Sequence, residues 1–141
     1  MKEREREVAR LFLDLYPQLG DLQESSKYEH YDFESRDYLI EIKSRETLYE
    51  DWLIEDYKVK KNLQKCLIKG KQFLYLTEHE WIAYLWNVSK LTESNYDFKW
   101  EHRDMPKSTQ FGDSENKIPK LVGYLSTGCS KKINLIEIIQ E

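Results

Sequence analysis

This chain lacks any long apolar run, and that absence sets the first limits on its class. Among its 141 residues, no segment is apolar over the roughly 20 positions that a membrane-spanning helix needs. The first ten residues are almost all charged, so we expect neither a secretory signal nor a membrane anchor there. We therefore predict a cytoplasmic protein that makes no membrane contact.

Cysteine is scarce, and its distribution predicts no covalent framework. Cys66 and Cys129 are the only cysteines, and without a secretion signal we expect both thiols to be reduced. Neither of them combines with the three histidines at the spacing of a zinc site. Glycine-rich phosphate-binding loops and the local motifs of serine or cysteine hydrolases are also missing.

An overall excess of positive charge is missing as well. The net charge is -4, which argues against a protein that coats nucleic acid through bulk charge. It leaves open an enzyme that binds nucleic acid through one local patch. Hydrophobic residues make up 40% of the chain and charged residues 34%, a balance typical of a folded, soluble domain. The length suits one domain with one core over residues 1–141.

Apolar periodicity predicts alternating helices and strands in the first two thirds of the chain. Val8, Leu11, Phe12 and Leu15 repeat at the spacing of one helical face, and Pro17 ends that helix. The predicted elements are a helix over residues 2–17, an irregular strand within 21–27, strands over 28–33 and 37–43 with a turn at 34–36, a helix over 51–69, and strands over 72–77 and 81–88 with a turn at 78–80.

The last third of the chain is less regular. Residues 89–119 are polar and broken by two prolines and a glycine, so we predict mainly a loop with a short element near 96–100. A strand is predicted over 120–125, and a strand or helical turn over 133–139. The order of helix, strands, helix and strands predicts a mixed α/β or α+β domain whose helices cover one central sheet.

One group of charged residues stands out because it follows a short apolar run. In an extended strand, Glu41 and Lys43 point to one face and Ile42 to the other. If Asp32 lies on the neighbouring antiparallel strand, a second carboxylate meets them. Leu39 shares the face of Glu41 and Lys43, which favours a covered face over an ordinary solvated ion pair.

This group has the chemistry of a divalent metal site. Mg²⁺ or Mn²⁺ prefers oxygen ligands, and Asp32 and Glu41 offer carboxylates while Ile42 offers a backbone carbonyl. A bound cation acidifies water, and Lys43 would orient that water or neutralise charge that builds on a phosphate. The group therefore predicts metal-assisted phosphodiester hydrolysis.

Asp32 and Glu41-Ile42-Lys43 together resemble the active-site motif of the PD-(D/E)XK nuclease superfamily. The run from Glu41 to Arg45 is similar to the corresponding strand of archaeal Holliday-junction resolvases, and the compact size is similar to that of phage junction-resolving endonucleases. Tyr31 replaces the proline of the motif, and the resemblance covers about residues 3–88. It implies a restriction-endonuclease-like αβββαβ core with a mixed central sheet.

The resemblance also implies an activity and further site residues. It implies an Mg²⁺- or Mn²⁺-dependent endonuclease that acts on DNA, as a homodimer, in the host cytoplasm if a phage encodes it. Many members add a glutamate from the first helix, for which Glu5 and Glu7 are the candidates. We prefer Glu5 because it lies three residues before Val8, on the side of the apolar stripe.

A set of cations forms the predicted DNA-binding surface. Within residues 58–72 no acidic residue occurs, and lysines recur there at spacings of three and four. A polar loop adds cations beside the hydroxyl groups of Ser108 and Thr109. The predicted DNA contacts are Lys58, Lys61, Lys65, Lys69, Arg103 and Lys107. The alternative for each segment is an ordinary solvated surface.

Two functions compete with the nuclease hypothesis. The first is a nuclease fold that binds DNA or a protein without hydrolysis, which would retain the lysine surface. The second is an assembly protein whose aromatic residues Trp81, Tyr84 and Trp86 form an interface or a core. Asp32 separates these hypotheses, because an accidental ion pair needs no third charged group beside it.

Overall fold

The computed structural model describes residues 2–107 and 117–136. The helices in this part of the chain are α1 (Glu3–Leu15), α2 (Asp56–Lys69) and α3 (Val88–Glu93). The strands are β1 (Gln23–Glu24), β2 (Phe33–Glu34), β3 (Tyr38–Ser44), β4 (Asp51–Glu55), β5 (Gln72–His79), β6 (Ile82–Asn87), β7 (Glu101–Pro106), β8 (Lys117–Ser126) and β9 (Lys131–Asn134). None of these helices is long and apolar enough to span a bilayer.

The central sheet has six strands in the order β1-β2-β3-β5-β6-β9. β3 and β5 run parallel, and the other neighbours are antiparallel. The strands β4, β8 and β7 form a separate antiparallel sheet. The predicted α+β class, with a mixed central sheet and flanking helices, is confirmed. The second sheet is an addition to the predicted core.

The alternation of side chains along β3 creates two distinct faces of the central sheet. Leu39, Glu41 and Lys43 point to one face, which we call the site face, and Ile40 and Ile42 point to the other. α1 packs on the second face through its buried apolar stripe, while α2 covers the site face. The buried apolar side chains form one cluster on each face, so the sheet divides the single core that the sequence predicted.

α1 ends where its sequence predicts. Its last residue is Leu15, and a short 3-10 turn over Pro17–Leu19 follows. Val8 and Phe12 are buried against the sheet, whereas Leu15 is 44% exposed. The i, i+3, i+4 pattern therefore identified the buried face except at its last turn.

The prediction of a strand over residues 28–33 is largely wrong. Only Phe33 of this segment lies in a strand, and the preceding residues form turns and bends. Tyr31 is buried beneath α2, while Asn62 of that helix donates a 2.8 Å hydrogen bond to the carbonyl of His30. A side chain of the neighbouring helix thus provides the hydrogen bond that a paired strand would otherwise provide to this backbone carbonyl. The turn that follows is at residues 35–37 instead of 34–36.

The predicted helix over residues 51–69 begins five residues too early. Residues 51–55 form β4, in which Trp52 and Ile54 are buried and Leu53 points the other way. This alternation has a period of two, and β8 pairs with it from about seventy residues away. Glu55 is the N-cap residue of α2, so of the acidic residues before Asp56 it is the one at the positive end of the helix dipole. Gly70 ends the helix in the left-handed conformation.

The segment predicted as a loop over residues 89–119 contains regular structure. Asn87 caps α3 by accepting a 3.0 Å hydrogen bond from the Lys90 amide. β7 is almost entirely polar and exposed, so it carries no apolar pattern and forms because β8 pairs with it. The predicted strand over 120–125 is the second half of β8, which is followed by β9.

Two predicted segment boundaries also change. The β5–β6 turn is formed by Glu80 and Trp81, both with positive φ, instead of by residues 78–80. β9 covers the beginning of the predicted C-terminal element and ends at Asn134. Leu135 and Ile136 follow as a turn, and residues 137–139 of that element lie outside the described residues, as do Ser108, Thr109 and Gly112.

Candidate active site

The place where β2 begins explains how Asp32, the residue before it, reaches β3. The Asp32 amide donates a 2.9 Å hydrogen bond to the Ile40 carbonyl, in line with the β2–β3 ladder. The next backbone amide of β3 on this side belongs to Ile42, and it donates to the Asp32 carboxylate at 2.7 Å. The carboxylate therefore accepts the hydrogen bond that a longer β2 would have accepted, and the buried Ile42 amide has the partner it needs. Asp32 therefore lies beside β3, but one residue before β2 and not within the neighbouring strand that the sequence predicted.

Glu5 accepts a hydrogen bond from β3 as Asp32 does, but two residues further along the strand. The Ser44 amide donates a 3.2 Å hydrogen bond to Glu5 Oε2. Glu5 is 7% exposed and lies in the first turn of α1, which crosses the sheet at this point. Of the two glutamates considered on α1, Glu5 is therefore the one beside β3, whereas Glu7 pairs with Arg10 on the surface.

Glu41 is the most buried acid of the group on the site face. It is 3% exposed, and its Oε1 lies 3.5 Å from Lys43 Nζ and 3.2 Å from Lys58 Nζ. Its other oxygen, Oε2, is buried without a hydrogen-bond partner among the described residues. A buried, unpartnered carboxylate oxygen is costly, and such groups occur where a ligand or ion is meant to bind.

The electrostatics of Asp32 show that these groups interact. Burial raises the pKa of Asp32 to about 6, and the Glu41 carboxylate adds to the increase. The Ile42 amide and the Lys43 ammonium lower the pKa, and Glu5 raises it. The three acids and Lys43 thus lie close enough to affect one titration. Burial, together with the neighbouring carboxylates, therefore outweighs the nearby amide and ammonium groups in setting the pKa of Asp32.

Sequence analysis did not assign Glu55 and Lys120 to this site. Glu55, at the end of β4, accepts a 2.8 Å hydrogen bond from Lys120 Nζ and lies 3.6 Å from Lys58 Nζ. Burial raises the pKa of Glu55, but the ammonium groups of Lys120 and Lys58 lower it further than burial raises it. No local signal identifies these residues, because the second sheet brings them to the site from distant parts of the chain.

A cleft passes over the site face between the central sheet and the second sheet. Its wider end has a volume of about 390 Å³ and contains Asp32, Glu41 and Lys43 together with His30 and Tyr57. The lysines that line this end are Lys27, Lys43, Lys58, Lys107 and Lys120. The acids therefore lie at the bottom of a cleft whose walls are basic.

The predicted lysine face of α2 is divided between two environments. Lys58, in the first turn, points into the cleft and contacts Glu41. Lys65 and Lys69 instead pair with Glu29 and Glu34 at 3.0 and 2.8 Å. Lys61 Nζ lies 5.7 Å from the centre of the Tyr57 ring. Residues 58–72 contain no acid, but the segment before β3 supplies acids in space.

Of the other predicted DNA contacts, one is on a strand and one directly follows that strand. Arg103 lies in β7, where its guanidinium donates a 3.2 Å hydrogen bond to the Tyr124 hydroxyl. Lys107 follows β7 directly and lines the cleft. Trp86 and Tyr84 are core residues, and the Arg4 guanidinium lies 3.6 Å above the Trp81 ring.

The donor set fits a hard divalent cation. Asp32 and Glu41 provide two carboxylates, and the Ile42 backbone group between them faces Asp32 because the Ile42 amide already bonds to it. Across residues 2–107 and 117–136, no cluster of three or more His, Cys, Asp or Glu side chains is arranged to hold a metal. Magnesium sites need only one or two carboxylates, since water and substrate phosphate complete the shell. The buried Oε2 of Glu41 is consistent with that arrangement.

Comparison with solved structures identifies the architecture. The Holliday junction resolvase Hjc of the archaeal hyperthermophile Archaeoglobus fulgidus superposes with a TM-score of 0.56 over 98% of this chain and 100% of that chain. This chain shares that resolvase's fold. The sequence identity is 11%, so the similarity is one of fold. No protein-family model and no curated protein matches the sequence. The shared fold extends beyond residues 3–88, to which the sequence motif was limited.

Proposed function

We propose that this protein is a divalent-metal-dependent DNA endonuclease. The observation that carries the proposal is the position of Asp32 and Glu41 on adjoining chain segments, with Lys43 3.5 Å from Glu41, at the bottom of a lysine-walled cleft. The fold supports it, since a similar fold belongs to a Holliday junction resolvase. Mg²⁺ or Mn²⁺ is the cation class that an all-oxygen donor set favours.

Each residue of the site has a distinct proposed role. Asp32 and Glu41 would hold the cation, and the Ile42 carbonyl is the proposed third ligand. When bound, the cation neutralises phosphate charge and makes a water more acidic. Lys43 is the catalytic lysine, which holds the attacking water and stabilises the charge that develops on the phosphate. Glu5 fixes the end of β3 through the Ser44 amide and supports the ligand geometry.

The DNA backbone would contact the basic walls of the cleft. We propose Lys58 and Lys107 as contacts within the cleft, Arg103 at its far wall, and Lys61, Lys65 and Lys69 along α2. Lys65 and Lys69 must first leave Glu29 and Glu34, so each contributes less than an unpaired lysine. We expect a homodimer, because cutting two strands requires two active sites. A cytoplasmic location accompanies this proposal.

The test is a cleavage panel on supercoiled, linear, single-stranded and branched DNA with Mg²⁺, Mn²⁺ or chelator. We expect cleavage with either metal, none with chelator, and none by Asp32→Ala or Lys43→Ala. Lys90→Ala is the matched control, since Lys90 is an exposed lysine on α3. Unchanged cleavage by Asp32→Ala or Lys43→Ala would contradict the assignment of the site.

One observation favours a second candidate function. The ammonium groups of Lys43 and Lys58 both lie near Glu41 Oε1, so the protein's own cations already lie beside a proposed metal ligand. This favours a nuclease fold that binds DNA without hydrolysing it. That function predicts salt-sensitive DNA binding that weakens in Lys61→Glu and Lys65→Glu, with no cutting in any metal. The cleavage panel separates the two functions.

A further inference from the structure

A second pocket opens from the opposite side of the cleft. It has a volume of about 390 Å³, and we call it the aromatic pocket because Tyr49, Trp52 and Tyr124 line it. Lys43 lines both this pocket and the wider end of the cleft. A small cavity of about 50 Å³ shares Lys43 with both of them, and it shares Tyr75 and Met105 with the aromatic pocket. A strand lying across Lys43 would therefore reach this pocket.

One aromatic side chain that lines this pocket is exposed to solvent. Tyr49 belongs to the segment between β3 and β4, is 43% exposed, and contacts Trp52 edge to face at 5.2 Å between ring centres. Trp52 is 3% exposed and forms the base of the pocket, so it is rigid. Its indole nitrogen is a buried donor without a hydrogen-bond partner among the described residues. A flat ligand can thus stack on Tyr49 over a preformed base.

The charges around these rings select an anionic ligand. Lys43, Arg45 and Arg103 line the aromatic pocket, and Asp51 is the one carboxylate among its lining residues. A methylated amine or another cation would meet a surplus of positive charge there, although it could use the aromatic rings. A nucleotide satisfies both features, because its base stacks on an aromatic side chain while its phosphate meets the cations.

We propose that the aromatic pocket binds an unstacked nucleobase of the DNA strand whose phosphate lies at Lys43. This inference rests on the proposed function, because it uses the same cleft. It identifies a substrate class, namely DNA that offers an unpaired nucleotide, such as single-stranded or branched DNA. A fully paired duplex binds less well, because one of its bases must first be unpaired and unstacked. Tyr49 is the specificity-determining residue.

The experiment measures binding without catalysis. A fluorescein-labelled 12-nucleotide oligothymidylate and an abasic oligomer of the same length are titrated with protein in chelator, and fluorescence anisotropy is recorded. We expect Tyr49→Ala to weaken oligothymidylate binding about 5- to 100-fold, the range for loss of one stacked base. Binding of the abasic oligomer should change less than twofold. Tyr49→Phe should retain the wild-type preference because it keeps the ring.

Leu48→Ala is the control, since Leu48 is the exposed neighbour of Tyr49 and is 56% exposed. It should bind both oligomers as the wild type does. The pocket is ruled out if Tyr49→Ala weakens both oligomers equally or neither, or if the wild type does not prefer the oligomer with bases. Failure of the proposed function gives a different result. In that case no substrate is cleaved, but the wild type still prefers the oligomer with bases. Tyr49→Ala still loses that preference.

Discussion

Two charged regions of this protein look alike in sequence and differ in structure. At β3, Asp32, Glu41 and Lys43 lie in or at the bottom of a cleft, with one carboxylate oxygen unpartnered. Along the later turns of α2, Lys65 and Lys69 pair with acids from the segment before β3 at 2.8–3.0 Å. The first region keeps a buried carboxylate oxygen without a hydrogen-bond partner, and the acids and lysines of the second are paired close to solvent.

Burial, more than the number of charges, separates the candidate site of this protein from its solvated surface. An ion pair near solvent gains little and costs little, so its presence implies no function. A buried carboxylate without full compensation reduces stability, and a protein keeps one where a ligand repays that cost.

Glu41→Gln should reduce metal-dependent DNA cleavage by at least about 100-fold. The substitution keeps the shape of the side chain but removes the charge that would hold the cation, and a loss of this size is typical for one transition-state contact. Single-turnover cleavage of a branched substrate measures it. Glu93→Gln, the same change on exposed α3, should cleave within twofold of wild type. Equal cleavage rates for the two variants would contradict the view that the buried acid, and not an exposed one, has a role in function.

Asp32→Asn should stabilise the protein by about 3 kcal/mol at pH 7 without metal. The pKa of Asp32 is raised from 3.8 to about 6, mainly by burial, so the folded state binds more protons than the unfolded state between these values. Wild-type stability therefore falls as pH rises from about 4 to 6. Asparagine can still accept the Ile42 amide and does not ionise.

Urea unfolding at pH 4, 5, 6 and 7 in chelator measures this effect. The gain in the free energy of unfolding should be small at pH 4 and reach its full size above pH 6. Asp97→Asn, a change in an exposed residue, is the control and should show no such increase. A variant less stable than wild type at pH 7 would show that Asp32 is needed for the fold more than for a ligand.

Mg²⁺ or Mn²⁺ should stabilise the folded protein by about 1.4 kcal/mol at ten times its dissociation constant. The cation would relieve the repulsion between Asp32 and Glu41 and supply a partner for Glu41 Oε2. Thermal unfolding with increasing cation measures this shift. Glu41→Gln should abolish it and Glu93→Gln should retain it. The same shift in both would place cation binding elsewhere on the protein.

Glu34→Gln should destabilise the protein by at most about 1 kcal/mol at pH 7. Burial raises the pKa of Glu34, but hydrogen bonds from Lys69, Lys71 and Tyr31 lower it to about 2. The stability that this carboxylate contributes is therefore complete above its ordinary pKa of 4.5 and is lost as pH falls toward 2. Urea unfolding at pH 7 and pH 3 should show the variant's deficit shrinking at the lower pH, opposite in sign to Asp32. A deficit that grew at pH 3 would contradict this account.

Local pattern predicted several parts of this molecule well. The spacing of Val8 and Phe12 identified α1, and the period of two in β3 put Glu41 and Lys43 on one face with Ile42 on the other. β4 was mistaken for helix, although Trp52 and Ile54 alternate, because its partner strand is distant in sequence. β7 could not be predicted, since its exposed polar residues carry no periodic signal.

The sequence alone determined the chemical types at the site and their order, because Asp32 and Glu41-Ile42-Lys43 lie within twelve consecutive positions and short-range geometry governs strands. Which of these charges are buried and which are paired depends on the tertiary structure. α2 and the second sheet bury Glu41 and bring Lys58, Glu55 and Lys120 to it, while Glu29 and Glu34 neutralise Lys65 and Lys69. Burial and pairing depend on contacts between distant segments, which no local pattern encodes.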